Sequence, residues 1–402
     1  MLIRNVRLIG ALSGGIDAEH GAVRMEQGRI VQVYGDAEGP ELSAGEAAFD
    51  GGGRTLLPGL IDAHTHLSGL RDYDVGQLRN PMRYLTTTGL MAQRYLDYGF
   101  TTIRDCGTPL RVNSEVRDAI GRGLFRGPRI LSCGLIIEPT EEGSDSPISG
   151  MYSCADSPDE ARKAARQEIA EQADFVKIMA SGSALDRHGI PDQPIMTEPE
   201  CRAIVEAAAM KHTDVAAHAH SDAAIRMCIE TGVHTIEHAS FISEGTLGRL
   251  KAENTGRNPE DLVWLVPTVS AMYQNPETTA PEWMFLVRKL LDMLEISSKC
   301  LRRAYEGGAP MAFGTDSCPG MDQYEQGIEF RFRSEKCGFS NMEILKQATV
   351  NSAQALRLGD ETGSIRQGLA ADLILVDGKP DMDLSVMYRR PDHVWLAGEQ
   401  VR

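Results

Sequence analysis

The sequence predicts an α/β protein, a (β/α)8 barrel of the TIM type with a small β-domain formed by both termini. From Thr55 onward, short apolar runs alternate with helical stretches, which is the pattern of a parallel sheet with covering helices. His64 and Asp316 end the first and last candidate strands and are 252 residues apart, close to the ~250 residues of a whole barrel. Both termini have the alternating patterns of strands.

The composition excludes several classes of protein. The 402 residues carry a formal net charge of −16 and no basic run, which disfavours nucleic acids and anionic membrane surfaces as partners. The start of the chain has no signal-peptide pattern and no stretch is apolar for long enough to span a bilayer, so we expect a cytoplasmic protein. Eight scattered cysteines without a Cys-x-x-Cys pair fit reduced thiols better than disulfides or a thiolate zinc site.

The terminal strands predict one domain built from two separate segments. Strand patterns occur at residues 2–9, 22–25, 29–33, 363–365, 371–377 and 393–397. Glu26-Gln27-Gly28 is a tight-turn candidate between the second and third of them. We therefore predict a discontinuous β-domain made of residues 1–56 and 360–402, with the barrel, residues 57–359, inserted between the two segments.

The barrel strands are predicted to carry reactive residues at their carboxyl ends. With repeating units of about 36 residues, Lys177 falls on strand 4, His218 on strand 5, His238 on strand 6 and Asp316 on strand 8, while residues 263–269 supply strand 7. Barrel enzymes have their active sites at this face. The sequence therefore predicts one site that gathers residues from distant parts of the chain.

The first barrel strand ends in two histidines, His64 and His66. Extended chain points residues i and i+2 to the same face. Two neutral imidazoles on one face can clamp a divalent cation. Taken alone, the pair has a second interpretation, two polar residues where a strand ends.

Lys177 lies inside the otherwise apolar run 174–179, where a lysine is rare unless it is paired or used. An ammonium group has no lone pair and cannot ligate a metal. Three roles stay open: an ion pair at the mouth of the barrel, a Schiff-base lysine, or a lysine carboxylated by carbon dioxide whose two oxygens bridge two cations.

Four further histidines, His218, His220, His234 and His238, lie on two neighbouring strands. Because usually only one residue per strand reaches a metal at the mouth, His218 and His238 are the candidate ligands. We predict that His220 and His234 are hydrogen-bonded histidines that lie either in the core or next to the metal ligands. Asp316 would emerge at the same mouth as a ligand or a proton acceptor, although a lone Asp at a strand end is more often a helix N-cap.

These motifs resemble the amidohydrolase superfamily, specifically the imidazolonepropionase-related branch that includes Xaa-Pro and Xaa-Arg dipeptidases and acyl-amino-acid hydrolases. The resemblance covers nearly the whole chain, with motifs at residues 58–67, 99–105, 175–182, 218–220, 236–238, 314–317, 363–365 and 371–374. It implies a (β/α)8 barrel flanked by a β-sandwich built from both termini. It also implies the following ligands: His64, His66 and Asp316 on one metal, His218 and His238 on the other, and carboxylated Lys177 bridging both.

The resemblance implies a reaction as well. It implies two divalent cations, and the mixed nitrogen and oxygen donors of the ligands suit zinc. Such cations lower the pKa of a bridging water enough to supply hydroxide near neutral pH. Asp316 would accept the proton as the hydroxide attacks and deliver it to the leaving amine. The expected activity is hydrolysis of an amide bond in a small molecule, such as a dipeptide or an N-acyl amino acid. That small molecule is the expected partner, and we expect binding neither to nucleic acid nor to a membrane. Whether the protein forms a homo-oligomer stays open.

One departure from the branch concerns the substrate. Members that cleave dipeptides tend to carry a histidine in the loop after strand 3, where it hydrogen-bonds the substrate carbonyl. The corresponding loop here, residues 138–147, has none. His220 and Arg226 are candidate substrate-binding residues, Arg226 because a guanidinium pairs with a carboxylate through two hydrogen bonds. An exposed helix arginine is the competing interpretation.

Other functions compete with amide hydrolysis. The same site could hydrolyse another C–N bond, in a carbamate, a urea or a cyclic amide. A mononuclear deaminase typically has a Glu three residues after the strand-5 histidine and no bridging lysine, whereas this chain has Ser221 and Lys177. A non-catalytic scaffold would have lost ligands, and all six candidate ligands are present in this sequence.

Overall fold

The computed structural model describes residues 1–36, 39–67, 80–141, 150–184, 191–273, 284–317 and 326–402. Within these residues the strands are β1 Leu2–Leu8, β2 Ala18–Glu26, β3 Arg29–Tyr34, β4 Ala48–Asp50, β5 Thr55–Pro58, β6 Leu60–Thr65, β7 Phe100–Asp105, β8 Arg129–Ser132, β9 Ile136–Glu138, β10 Tyr152–Cys154, β11 Phe175–Met179, β12 Asp214–Ala219, β13 Thr235–His238, β14 Trp264–Val266, β15 Leu373–Val376, β16 His393–Leu396 and β17 Glu399–Gln400.

The α-helices of the described residues are α1 Pro81–Asp97, α2 Val112–Gly121, α3 Pro158–Ala170, α4 Glu198–Ala209, α5 Asp222–Thr231, α6 Glu244–Asn254, α7 Met284–Glu306, α8 Gln326–Glu335, α9 Asn341–Lys346 and α10 Ser352–Ala355. A π-helical turn, Gln347–Asn351, joins the last two. A search of the described helices finds none that is both long and apolar enough to cross a membrane.

Strands β6 to β14 form two parallel sheets. One has the order β6-β7-β8, and the other has the order β10-β9-β11-β12-β13-β14. Every neighbouring pair in both sheets is parallel. Helices alternate with these strands along the chain, as the sequence predicts. The result is a TIM-barrel-like α/β fold with its strand ends on one face.

Segment 311–317 lies between the two parallel sheets and bonds to both. The amide of Ala312 donates to the carbonyl of Leu265 in β14 at 2.9 Å, and the amide of Ala63 in β6 donates to the carbonyl of Phe313 at 2.7 Å. These bonds bring the sheets together without a continuous ladder of strand pairs. The sequence predicts a closed barrel, whereas the structure has two parallel sheets that these hydrogen bonds connect.

The prediction that the last barrel strand ends at Asp316 was wrong in one respect. Segment 311–317 is not a strand, because it makes only isolated bridges, from Met311 to Leu265 and from Ser317 to Thr65. Asp316 has a φ of +55°, which lies outside the extended region of backbone space. The chain turns at this residue and the ladder cannot continue through it.

Strands from both termini form one sheet, as the sequence predicts. Its order is β17-β16-β15-β5-β1-β2-β3, with β4 paired to β1. Apolar side chains from both ends, among them Ile3, Val23, Leu375 and Trp395, pack into one buried cluster. All these strands hydrogen-bond into a single eight-stranded sheet, so the two layers of the expected β-sandwich are not shown. Residues 363–365, predicted as a strand, are not in one.

The chain passes from this terminal sheet into the first parallel sheet at Pro58 and Gly59. Strand β5 ends at Pro58, opposite Leu373 of β15, and β6 begins at Leu60, so that Gly59 alone separates the two strands. A Cβ atom on Gly59 would lie 2.1 Å from the hydroxyl oxygen of Thr101, closer than side chains can approach. The position therefore requires glycine, because only a hydrogen fits between the two strands.

Hydroxyl side chains begin the helices that follow the strand ends. Ser221 accepts a hydrogen bond from the amide of Ala224 at the start of α5. Thr197 and Glu200 form a capping box at the start of α4. These bonds satisfy amides that have no partner within the helix. Since Ser221 directly follows His220, the cap also fixes the course of the chain beyond that histidine.

Candidate active site

The structure brings the predicted ligands to one end of the parallel strands. His64 lies in β6, Lys177 in β11, His218 in β12 and His238 at the end of β13. His66 directly follows β6. Asp316 lies in segment 311–317. Residues up to 252 positions apart in the sequence therefore share one site, as expected for strand ends of this fold.

His64, His66 and Asp316 form the first group. The Nε2 atoms of His64 and His66 lie 3.4 Å and 3.1 Å from the same Oδ1 atom of Asp316. The opposite nitrogens are already engaged, since Nδ1 of His64 lies 2.7 Å from a carboxylate oxygen of Glu237 and Nδ1 of His66 lies 2.8 Å from the carbonyl of Gly107. Carboxylates and carbonyls only accept hydrogen bonds. Each neutral ring therefore carries its hydrogen on Nδ1 and a lone pair on Nε2.

The first group has the donor set of a metal site. Two imidazole lone pairs and a carboxylate oxygen point toward one another, and this arrangement is repulsive unless positive charge lies between them. Imidazole and carboxylate are ligands that zinc prefers in proteins. The ligand atoms of His64, His238 and Asp316 also lie within 4.8 Å of one another. The residues present thus fit a divalent cation.

His218, His220 and His238 form the second group, and their ligand atoms also lie within 4.8 Å of one another. Nε2 of His218 lies 3.3 Å from the carbonyl of Gly182, and Nδ1 of His238 lies 2.6 Å from the hydroxyl of Thr268. The ring centre of His238 lies 5.0 Å from that of His64. His238 therefore joins the two groups.

Burial keeps the second group uncharged. Removal from water lowers the pKa of His218 and of His238 well below its ordinary value, and it lowers the pKa of His220 to about 3. A neutral imidazole has the free lone pair that metal binding requires, whereas an imidazolium does not. All three rings are in the form that can bind a cation at neutral pH.

Asp316 is ionised in this site. Burial opposes its charge, but His64 and His66, when they are protonated, outweigh that effect through their charge and hydrogen bonds and hold the pKa of Asp316 well below its ordinary value. The side chain of Asp316 is 25% exposed, whereas that of His64 is 1% exposed. The carboxylate is thus the most exposed member of the first group, since the side chain of His66 is 14% exposed.

Lys177 is 1% exposed, and in β11 it lies opposite Ala216 of the neighbouring strand. Among the described residues its ammonium nitrogen has no hydrogen bond and no ion pair. Its positive charge acts on the pKa values of His64 and His218. Burial of a lysine that makes no hydrogen bond is costly, and its charge also helps to lower the pKa of Glu237.

Glu237 and Arg104 form a buried support beneath the first group, which the sequence analysis missed. Oε1 of Glu237 accepts hydrogen bonds from Arg104 at 2.7 Å and from the hydroxyl of Thr235 at 2.6 Å. Arg104 also donates to the carbonyl of Ala63 at 2.6 Å. The charge of Arg104 and the bond to His64 outweigh burial and hold the pKa of Glu237 below its ordinary value.

A sequence signal for this support exists. Arg104 and Glu237 are charged residues inside apolar strands, as Lys177 is, and a fully buried charge requires a partner. The reasoning that singled out Lys177 applies to both. What the sequence does not show is that these two residues, 133 positions apart, are partners.

A second buried ion pair, Glu329 and Arg333 of α8, lies behind the other ligands. Glu329 accepts hydrogen bonds from the amides of Val269 and Ser270 at 3.2 and 2.7 Å. Arg333 bonds Glu329 at 2.6 Å and donates to the carbonyls of Pro267, Ala312 and Gly314. The pair therefore ties the loop after β14, which supports His238 through Thr268, to the segment that carries Asp316.

His234 and Arg226 lie apart from the two groups. Nε2 of His234 lies 2.9 Å from the carbonyl of Ala355, so this histidine is a hydrogen-bonded core residue, as the sequence predicts. Arg226 lies on the exposed face of α5, opposite the face that carries Ile225 and Ile229 into the core. Arg226 is thus an exposed helix arginine, which was the competing interpretation of this residue. Within loop 138–147, residues 142–147 lie outside the described residues.

Histidine and carboxylate groups that can bind a metal lie at the carboxyl ends of the parallel strands. This arrangement places the protein among TIM-barrel-like enzymes with a candidate metal site. The chain belongs to the amidohydrolase family, whose model matches residues 55–401. Members of this family generally use divalent metals, and the two groups described above fit such ions. The protein is accordingly a hydrolase that acts on C–N bonds.

Individual relatives agree with this assignment. The ochratoxinase of Aspergillus niger is 28% identical over 380 residues, which are 86% of this chain and 75% of that protein. An imidazolonepropionase of Bacillus cereus is 23% identical over 381 residues, 89% of this chain and 83% of that protein. The crystal structure of a Xaa-Pro dipeptidase with methionine in its active site has a TM-score of 0.86 at 27% identity, and the match covers 100% of this chain and 99% of that one.

Proposed function

We propose that this protein is a metal-dependent amidohydrolase that cleaves the amide bond of a small peptide-like molecule, a dipeptide or an N-acyl amino acid. The observation that carries the proposal is the convergence of Nε2 of His64 and Nε2 of His66 on Oδ1 of Asp316, at 3.4 and 3.1 Å. The relative named Xaa-Pro dipeptidase supports a dipeptide-like substrate.

The two histidine groups would hold two divalent cations. His64, His66 and Asp316 are the residues for one, and His218 and His238 are residues for the other. When bound, such ions polarise the substrate carbonyl and lower the pKa of water. The mixed nitrogen and oxygen donors favour zinc over magnesium or calcium, which prefer oxygen alone.

Asp316 is the proton acceptor in this proposal. Its carboxylate is ionised and partly exposed at the mouth of the site. It takes a proton from the attacking water and then delivers that proton to the leaving nitrogen. This transfer matters because an amine leaves an amide readily only after it has gained a proton.

Lys177 is proposed to be carboxylated. Its neutral amine would attack carbon dioxide, form an N–C bond and lose one proton, which leaves a carbamate with one negative charge. The carbamate replaces a buried cation that makes no hydrogen bond or ion pair among the described residues, and its two oxygens would be available as ligands of both metal ions. Metal binding and carboxylation would then stabilise each other.

The substrate class is tested by a hydrolysis screen. The purified protein, loaded with zinc and bicarbonate, is incubated with dipeptides, N-acyl amino acids, carbamates, ureas and cyclic amides, and the released amine is quantified. We expect turnover of dipeptides or N-acyl amino acids and none by the metal-free protein. Turnover confined to carbamates, ureas or cyclic amides would assign another C–N bond to the same site.

The lysine modification is tested separately by mass and by density. Crystals grown with zinc and bicarbonate should show a carbamate on Lys177 between the two metals. Lys177→Ala should lose metal and activity together, and propionate should restore part of both because a carboxylate can occupy the vacated bridge. An unmodified lysine beside two well-occupied metals contradicts the proposal.

A further inference from the structure

Helix α1 has one face that the described parts of the fold leave exposed. Tyr84 and Ala92 carry the opposite face into the core, whereas Leu90 is 54% exposed and Met82 is 75% exposed. One exposed apolar side chain is ordinary on a protein surface, but a helix normally turns most of its apolar residues inward. The exposed side of α1 therefore has the character of a face without its packing partner.

The apolar surface continues beyond the helix. A Cβ atom on Gly89 would lie 3.0 Å from the ring of Phe125, so Phe125 packs directly against α1. Leu124, the residue before it, is 72% exposed. We call this surface, made of Met82, Leu90 and Leu124 with the exposed charges of α1, the α1 face. Exposed apolar side chains that lie together and are flanked by charges mark interaction sites.

Three residues of α1 lie in one row along this face. Arg83, Leu90 and Asp97 are seven residues apart, which is nearly two turns of an α-helix. Arg83 and Leu90 are exposed, and Asp97 is partly exposed. Within the described part of the chain, neither charged side chain has an ion pair or a hydrogen bond. The row therefore has a positive end, an apolar centre and a negative end.

Both charges have the unfavourable sign for their positions in α1. Arg83 lies in the first turn and Asp97 is the last residue of the helix. The helix dipole places partial positive charge at the first of these ends and partial negative charge at the second. A second helix that runs antiparallel beside α1 compensates for this arrangement, because it can place a carboxylate next to Arg83 and a guanidinium next to Asp97.

We propose that the α1 face binds the α1 face of a second copy of this chain, so that two α1 helices pack antiparallel about a two-fold axis at Leu90. In a two-fold interface, residue i contacts residue j of the other copy and residue j contacts residue i. Arg83 and Asp97 are equally far from Leu90 in the sequence. Each would therefore meet its opposite charge in the other copy, and the two Leu90 side chains would pack together on the axis.

The self-complementarity of the row selects a second copy as the partner. An unrelated protein would not require a positive and a negative end at equal distances from the apolar centre. The inference is independent of the proposed function, since it uses neither the metal ligands nor the substrate.

The first experiment measures the mass of the full-length protein by analytical ultracentrifugation over a range of concentrations. We expect an even number of chains in wild type. Arg83→Glu alone or Asp97→Arg alone puts like charges together twice, so the pair of chains should dissociate at least ~10-fold more readily. The two changes combined restore opposite charges and should return the dissociation constant to within a few-fold of wild type. Lys163→Glu, on the exposed face of α3, is the control and should leave the mass unchanged.

A cross-linking measurement tests the axis directly. In Leu90→Cys, the two-fold axis brings two new thiols together. Mild oxidation with copper(II)-phenanthroline and dissolved oxygen should then join most chains in pairs by a disulfide bond that a reductant reverses. Met210→Cys, at an exposed position directly after α4, and wild type, which has the exposed Cys154, give the background.

Three results would overturn the proposal. A protein that stays monomeric at every concentration has no such interface, and a dimer that neither single charge reversal weakens uses another surface. A dimer that the combined variant does not restore, or in which Leu90→Cys forms no more disulfide than Met210→Cys, lacks the antiparallel arrangement. None of these results bears on the metal site, which the hydrolysis screen tests.

Discussion

Oε2 of Glu237 lies 2.7 Å from Nδ1 of His64, and both side chains are buried. The other oxygen of the same carboxylate bonds Arg104. The bond to Glu237 decides which nitrogen of His64 carries the hydrogen and therefore which nitrogen faces Asp316. His64 is thus oriented by a carboxylate that contacts the nitrogen opposite the one facing Asp316.

Glu237→Gln keeps the shape of this support and removes its charge. We expect metal affinity to fall about 10–100-fold, as for other residues that orient a ligand. We also expect the free energy of unfolding to fall by about 3–5 kcal/mol, because Arg104 would keep a buried charge without its partner. Chelator competition and denaturant unfolding measure the two effects.

The control is Glu200→Gln, at a buried glutamate at the start of α4, and it should leave metal affinity unchanged. Equal affinities for wild type and Glu237→Gln would refute the orienting role.

Asp316→Asn tests the proton acceptor. The amide keeps an oxygen that can face a metal but cannot accept the proton, so turnover should fall at least ~10²-fold while most of the bound metal is retained. Steady-state kinetics and elemental analysis of the same sample give both numbers. Asp292→Asn on the exposed face of α7 serves as the control. Turnover within a few-fold of wild type would remove Asp316 from this role.

The buried pair Glu329 and Arg333 predicts strong coupling. Arg333→Met alone leaves Glu329 charged and uncompensated, so the free energy of unfolding should fall by about 3–5 kcal/mol. The double variant Glu329→Gln with Arg333→Met should lose less than the sum of the two single losses. Arg331→Met, on the same helix but outside the pair, is the control. Additive losses in a double-mutant cycle would show that the two side chains do not act as a unit.

Asp381 and Arg7 predict a pH-dependent contribution to stability far from the site. Two hydrogen bonds of 2.7 and 2.8 Å from Arg7 hold the pKa of Asp381 below its ordinary value, which is about 3.9. A depressed pKa stabilises the folded state above the unfolded pKa, and this contribution is lost as the pH falls through the folded pKa. Asp381→Asn should therefore cost about 1 kcal/mol at pH 7 and progressively less below about pH 4.

The measurement for this prediction is denaturant unfolding at a series of pH values. Asp360→Asn, at an exposed aspartate, is the control and should follow wild type throughout. A difference between Asp381→Asn and wild type that stays constant down to pH 3 would show that the Arg7 bond does not set the pKa of Asp381.

The sequence by itself determined the α/β alternation, the strand character of both termini and the strand ends that carry His64, Lys177, His218 and His238. These features are local. A period of two residues, an apolar run and a histidine at its end are visible within a few residues, because backbone geometry fixes which side chains share a face.

The tertiary structure alone decided which residues meet. Glu237 lies beside His64, 173 positions away, His220 lies beside His218 and His238, and Arg226 is exposed on α5. It also decided that the chain turns at Asp316, whose amide bonds the carbonyl of His64 at 2.7 Å, where a strand was predicted. Such outcomes depend on how distant strands pack and on which buried charge finds a partner, and no local pattern in the sequence records either of them.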